Sequence, residues 1–118
     1  MVIEPYKPGK KKRHGTVAER NCARRLGATL TPASGALPGA KLDMFTERFR
    51  IESKSTIKDS FRVSLEHLCK AADEAAEQGQ VPALAIQFVT PSGRLRRCGG
   101  WVAIPEYIFR ELLHADSK

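Results

Sequence analysis

The sequence predicts a single α/β domain, a sheet covered by helices. Helix-period and strand-length apolar patterns alternate along the chain. One run, Pro82-Ala-Leu-Ala-Ile-Gln-Phe-Val89, is almost continuously apolar, as in a central strand covered on both faces. A length of 118 residues with 42% apolar content suits one domain with a modest core.

Charge narrows the function classes. Twenty Lys and Arg stand against thirteen Asp and Glu, a net charge of +7. That balance favours a polyanionic partner, most simply nucleic acid. No apolar run approaches the ~20 residues that span a bilayer, and the N-terminus lacks the apolar region of a signal peptide. The expectation is a soluble, cytoplasmic protein with no membrane partner. Cys22, Cys69 and Cys98 are far apart, as are His14, His67 and His114. This spacing argues against a zinc site and for three small buried thiols.

Residues 1–15 carry Lys7, Lys10, Lys11, Lys12 and Arg13 among Pro5, Pro8, Gly9 and Gly15. Proline, glycine and a like-charge run predict a flexible basic arm, either a solubilising tail or a phosphate-binding segment. Residues 16–114 form the folded domain, and 115–118 fray.

Thr16 to Ala28 reads as a helix opened by the capping box Thr16-Val-Ala-Glu19 and stopped near Gly27. Ala18, Cys22 and Leu26 share one face, with Glu19 at its border. Glu19 therefore either caps the helix or leans towards a sheet beneath. Thr29-Leu30 starts a strand. Residues 31–41 form a loop in which Ser34-Gly35 could offer backbone N–H groups to a phosphate.

Lys41 to Lys54 reads as two strands joined by a tight turn at Glu47-Arg48. The register pairs Thr46 with Phe49, Met44 with Ile51 and Asp43 with Glu52. Opposed residues stand roughly 4.5–5.5 Å apart at the β-carbon, so Asp43 and Glu52 repel unless a cation lies between them. A divalent metal fits that place; the alternative is a surface hairpin whose charges are merely solvated. Lys54 points the same way as Glu52 because strand side chains alternate.

Residues 55–60 read as irregular. A second helix runs from Ser60 or Ser64 to Gln78, with an apolar stripe of Leu65, Leu68, Cys69, Ala72, Ala75 and Ala76 and a stop at Gly79. After the central strand, Thr90-Pro-Ser-Gly93 forms a turn. Arg94 to Cys98 and Trp101 to Ile104 supply one or two further strands. Pro105 opens a last helix whose Tyr107, Ile108, Leu112 and Leu113 should bury on the sheet.

The ordered parts carry a resemblance: a basic arm, a helix with Ala18-Glu-Arg20, a Ser-Gly loop, Asp43, Glu52-Ser-Lys54, a helix, then Ala83-Leu-Ala-Ile-Gln-Phe88 and a Trp strand. Over roughly residues 10–112 the chain resembles the archaeal-type Holliday junction resolvases of the PD-(D/E)xK nuclease superfamily, including relatives carried by viruses and phages. The resemblance implies a restriction-endonuclease-like fold, a mixed five-stranded sheet flanked by helices. It implies metal-dependent hydrolysis of four-way DNA junctions by a homodimer, with Mg²⁺ as cofactor and Mn²⁺ able to substitute. In a phage-borne relative the compartment would be the host cytoplasm.

Carried over position by position, Glu19, Asp43 and Glu52 would hold metal and act in catalysis, with the Ser53 carbonyl as a further oxygen. Lys54 would be the catalytic lysine. Lys10, Lys11, Lys12, Arg13, Arg20 and Ser34 would touch DNA. The chain departs from the family in three places: Ser53 stands where an apolar residue is usual, the 31–41 loop is longer and richer in proline, and Gln87 stands where lysine is common. Two alternatives stay open: another nuclease of the superfamily, restriction-like or repair, and a non-catalytic basic nucleic-acid-binding module.

Overall fold

A computed structural model describes residues 9–31 and 43–115, with side chains from residue 14 onward. In chain order the elements are α1 (Gly9–Leu26), β1 (Thr29–Leu30), β2 (Asp43–Phe45), β3 (Phe49–Thr56), α2 (Leu65–Glu77), β4 (Val81–Val89), β5 (Leu95–Ala103) and α3 (Glu106–Ala115). The strands form one five-stranded sheet in the order β1-β2-β3-β4-β5. Its ladders are antiparallel except for β3 and β4, which run parallel. A parallel step needs a crossover, and α2 supplies it. The described residues thus form the single α/β domain with a mixed sheet that the sequence predicts. None of their helices is long and apolar enough to cross a membrane.

The hairpin adopts the expected register, with Asp43 opposite Glu52 and Met44 opposite Ile51. Its turn is closed by Thr46, which donates its N–H to the Phe49 carbonyl at 2.9 Å and accepts from the Phe49 N–H through Oγ1 at 3.0 Å. Beyond Lys54, β3 continues to Thr56, two residues into the stretch expected as irregular.

The two faces of the sheet carry different chemistry. Cys22 and Ala23 of α1 pack with Met44, Ile51, Ala83 and Ala85 into one buried cluster. The odd-numbered residues of β3 and β4 therefore face α1. Arg50 and Glu52 instead reach Glu74 and His67 of α2, so the even-numbered residues of β3 face α2. β4 is buried on both faces, with Ala83, Leu84, Ala85, Gln87 and Val89 all hidden.

Four expectations are corrected. The first helix starts at Gly9, not Thr16, and takes in residues 9–15 of the expected arm. Lys10, Lys11, Lys12 and Arg13 are good helix formers, and propensity there outweighs like-charge repulsion. Thr16 consequently lies inside the helix and Glu19 belongs to no capping box. In α2 the buried positions are Ala71 and Ala75, while Leu65, Leu68, Cys69 and Ala76 are exposed. The helix is rotated because His67 and Glu74 face the sheet and bind charged strand residues. In α3 only Ile108 is buried; Tyr107, Leu112 and Leu113 are about half exposed, because the described strands do not extend beneath them. Of the cysteines only Cys22 is buried. Cys69 lies on the outer side of α2, and Cys98 is exposed at an irregular point of β5 with φ 59°.

Gly93, in the β4–β5 turn, abuts α1. A β-carbon there would lie 2.7 Å from Val17 Cβ and 2.9 Å from the His14 carbonyl, and its φ of +89° disfavours any side chain. Gly27, just past the end of α1, has φ +66° but open space around it. Gly93→Ala is therefore expected to cost roughly 1–3 kcal/mol of stability, and Gly27→Ala less, as read by chemical denaturation of the two variants beside the parent.

Candidate metal and catalytic site

The hairpin register builds the centre of the site. Asp43 and Glu52 form the last pair of the β2–β3 ladder among the described residues, while β3 runs on through Lys54. By strand alternation Asp43, Arg50, Glu52 and Lys54 lie on the face covered by α2. Glu52 is 5% exposed, and Asp43 is half-buried.

Each carboxylate meets a cation, and Glu52 meets an imidazole as well. Glu52 Oε1 lies 3.6 Å from Lys54 Nζ, and Glu52 Oε2 lies 3.0 Å from His67 Nε2. Asp43 Oδ2 accepts from Arg50 Nη2 at 2.5 Å, and Arg50 Nη1 donates to Glu74 Oε2 at 2.6 Å. Burial works against the Arg50 charge. The Glu74 hydrogen bond and the negative charges of Asp43, Glu74 and Glu52 outweigh it and hold the guanidinium pKa above its ordinary value.

Glu19 arrives from α1, on the other side of the sheet. The helix passes over the far end of β3, where a β-carbon on Gly15 would lie 3.8 Å from Ser55 Oγ. The half-buried Glu19 carboxyl has its pKa pushed up to about 8, first by burial and then by the Asp43 charge, with Lys54 pulling the other way. The Asp43 and Lys54 charges are thus near enough to be felt by this carboxyl. Glu19 Oε2 is buried without a hydrogen-bond partner among the described residues.

The structure thus brings Glu19, Asp43, Glu52 and Lys54 into one electrostatic neighbourhood. Among the described residues, no three His, Cys, Asp or Glu side chains close into a metal-ligating cluster. A hard divalent cation nevertheless fits this donor set. Mg²⁺ is commonly held by one or two carboxylates and retains several waters. The orphaned Glu19 oxygen and the opposed Asp43–Glu52 pair are groups such a cation would satisfy.

Ser53 points to the α1 side. It is buried, and its hydroxyl accepts from Gln87 Nε2 at 2.8 Å. Gln87 Oε1 in turn accepts from Arg25 Nη2 at 2.7 Å, so this buried amide is satisfied internally. The Cys22 thiol is raised in pKa by burial, an effect eased by Arg25 and a hydrogen bond with Ser53. Arg20 is exposed on α1. Lys10, Lys11, Lys12 and Arg13 fall on the same helix, but their side chains lie outside the described residues, as does all of Ser34.

Sequence reasoning missed Arg50, His67 and Glu74. Arg50 was within reach: it precedes Glu52 by two residues, so alternation sets both on one face. His67, Ala71 and Glu74 are spaced i, i+4, i+7, a helix stripe hidden by its polar ends.

No protein-family model, curated protein or solved structure matches this chain.

The Glu19 shift fixes a pH dependence. Below a pH of about 4.5 the carboxyl is protonated in both states and contributes nothing. Between 4.5 and about 8 the unfolded chain releases the proton while the folded chain keeps it, so stability falls as pH rises. Above about 8 the penalty is complete. Glu19→Gln should therefore melt with the parent in mild acid and increasingly above it as pH climbs through neutrality. Thermal melts in chelator across that range provide the check; a constant difference would contradict the shift.

Proposed function

We propose that this chain is a structure-selective endodeoxyribonuclease that resolves four-way DNA junctions by metal-dependent phosphodiester hydrolysis. The observation that carries the reading is the register that sets Asp43 opposite Glu52 with Lys54 on the same face. Two like charges so placed repel each other, an arrangement better suited to binding a cation than to holding a hairpin. The raised pKa of Glu19, to which the Asp43 charge contributes, and its orphaned oxygen add to it.

Asp43 and Glu52 would hold Mg²⁺ or Mn²⁺, with Glu19 completing the set. A divalent cation held there would supply charge to offset that developing on the phosphoryl group and would lower the pKa of water. Lys54, anchored by Glu52, projects its ammonium towards the scissile phosphate and donates to the attacking water or to a phosphate oxygen. His67 steadies Glu52 from α2. Arg20 and the basic start of α1 contact phosphates, which orient DNA without reading its sequence.

Shape must then supply selectivity, and a homodimer with two sites matches a branched, two-fold substrate. The half-exposed apolar side chains of α3, Tyr107, Phe109, Leu112 and Leu113, support self-association. Cytoplasmic location goes with the reading because the DNA lies there.

One observation favours a competing reading, a non-catalytic basic binding module: Asp43 and Glu52 already have Arg50 and His67 as partners. Cleavage separates the two. The parent should cut four-way junctions in Mg²⁺, bind them ahead of linear duplex in Ca²⁺, and linearise a cruciform plasmid by paired cuts. Glu52→Gln should lose cleavage by about a hundredfold or more while retaining junction binding. Absence of cutting would favour the module, and equal affinity for junction and duplex would favour a generic nuclease of the superfamily.

A further inference from the structure

We propose that Arg50 is the site's resident cation: it neutralises Asp43 until a divalent metal arrives, then yields Asp43 while remaining tethered to Glu74. The inference rests on the metal-site reading above and adds a residue that sets the affinity of that site.

The argument starts from the backbone. The Asp43–Glu52 register leaves two carboxylates in repulsion, so some cation must sit beside them in every state of the site. Arg50 shares their face and lies diagonally across the ladder from Asp43. A guanidinium does not titrate in proteins and presents several donors in a rigid fork. Here the two terminal nitrogens are divided, one on Asp43 of β2 and one on Glu74 of α2.

That division makes exchange inexpensive. Were Arg50 bound to Asp43 alone, metal entry would strand a half-buried charge, which is strongly unfavourable. With Glu74 as a second anchor, Arg50 loses one ion pair and keeps the other. Glu74 is also the more exposed partner, at 33% of its side-chain surface against 15% for Asp43. Solvent can therefore complete the hydration of Arg50 as it swings towards Glu74. The structure so couples α2 to the loading of the hairpin site.

A purely structural clamp makes different predictions. If Arg50 only ties β3 to α2, its removal lowers stability and leaves metal affinity equal or weaker. If Arg50 competes with metal, its removal tightens metal binding.

The test is Mn²⁺ titration of DNA-free protein, with free Mn²⁺ read by electron paramagnetic resonance. Arg50→Gln should bind Mn²⁺ about tenfold more tightly than the parent, since a cation beside the ligand is gone. Arg50→Lys retains the charge and should stay closer to the parent than to Arg50→Gln. Glu74→Gln confines Arg50 to Asp43 and should weaken Mn²⁺ binding. In an Arg50→Gln background the same Glu74→Gln change should lose most of its effect, because the coupling runs through Arg50.

A folded Arg50→Gln with unchanged or weaker Mn²⁺ affinity overturns the role of Arg50 alone. Where Arg50→Gln fails to fold, Glu74→Gln decides, and unchanged or tighter binding overturns the proposal. A parent that binds no Mn²⁺ overturns this inference together with the metal-dependent function.

Discussion

The Asp43–Glu52 pairing places two carboxylates side by side because the hairpin allows no other register. Met44 and Ile51, the adjacent pair, are both buried. A one-residue slip would turn them out of the core and drive Asp43 or Glu52 into it. The apolar pair thus enforces the charged one. Everything around the hairpin follows from the need to accommodate that charge. Lys54 and His67 gather on Glu52, Arg50 gathers on Asp43, and Glu74 holds Arg50 from behind.

The sheet separates this chemistry from its support. On the α1 side, Ser53, Gln87, Arg25 and Cys22 form a satisfied polar chain within an otherwise apolar contact. On the α2 side β3 presents the charged Arg50, Glu52 and Lys54, beside apolar β4 residues such as the buried Leu84. Ser53 pairs with Ala85 in the β3–β4 ladder, and Gln87 lies diagonally across from it, two places further along β4. The two polar residues answer each other: the Gln87 amide donates to the Ser53 hydroxyl. Neither reaches the carboxylates, which sit on alternate positions facing the other way.

What could be read from the sequence divides along physical lines. The hairpin was legible because strand alternation and an even-numbered turn determine a register without reference to anything distant. β4 was legible because an apolar run broken only by Gln87 has few other uses. The start of α1 was not, because Pro and Gly argue for a break there while Lys10, Lys11, Lys12 and Arg13 argue for a helix. The inner face of α2 was hidden for a different reason. Apolar periodicity points to Leu65 and Leu68, but His67 and Glu74 take the inner positions because their partners lie on β3. No local rule reports a partner 15 or 24 residues away. α3 failed in the opposite sense. Its periodicity is clear, but most of that face stays exposed, uncovered by the described strands.

Small residues at the helix–sheet contacts tie the fold to the site. Ala18 and Ala23 on α1, Ala71 and Ala75 on α2, and Ala83 and Ala85 on β4 are all buried. Helices come to rest at a distance set by the side chains between them and the sheet. Larger residues would lift α1 and α2 outward. Glu19, His67 and Glu74 have side chains of fixed reach, and a lifted helix would withdraw them from Asp43, Arg50 and Glu52. The alanines bury little apolar surface each, which leaves the domain a modest core. In exchange they bring two helices close enough to place polar groups around the end of one hairpin. A core built for greater stability with Leu or Ile at these contacts would separate the groups that the hairpin register assembles.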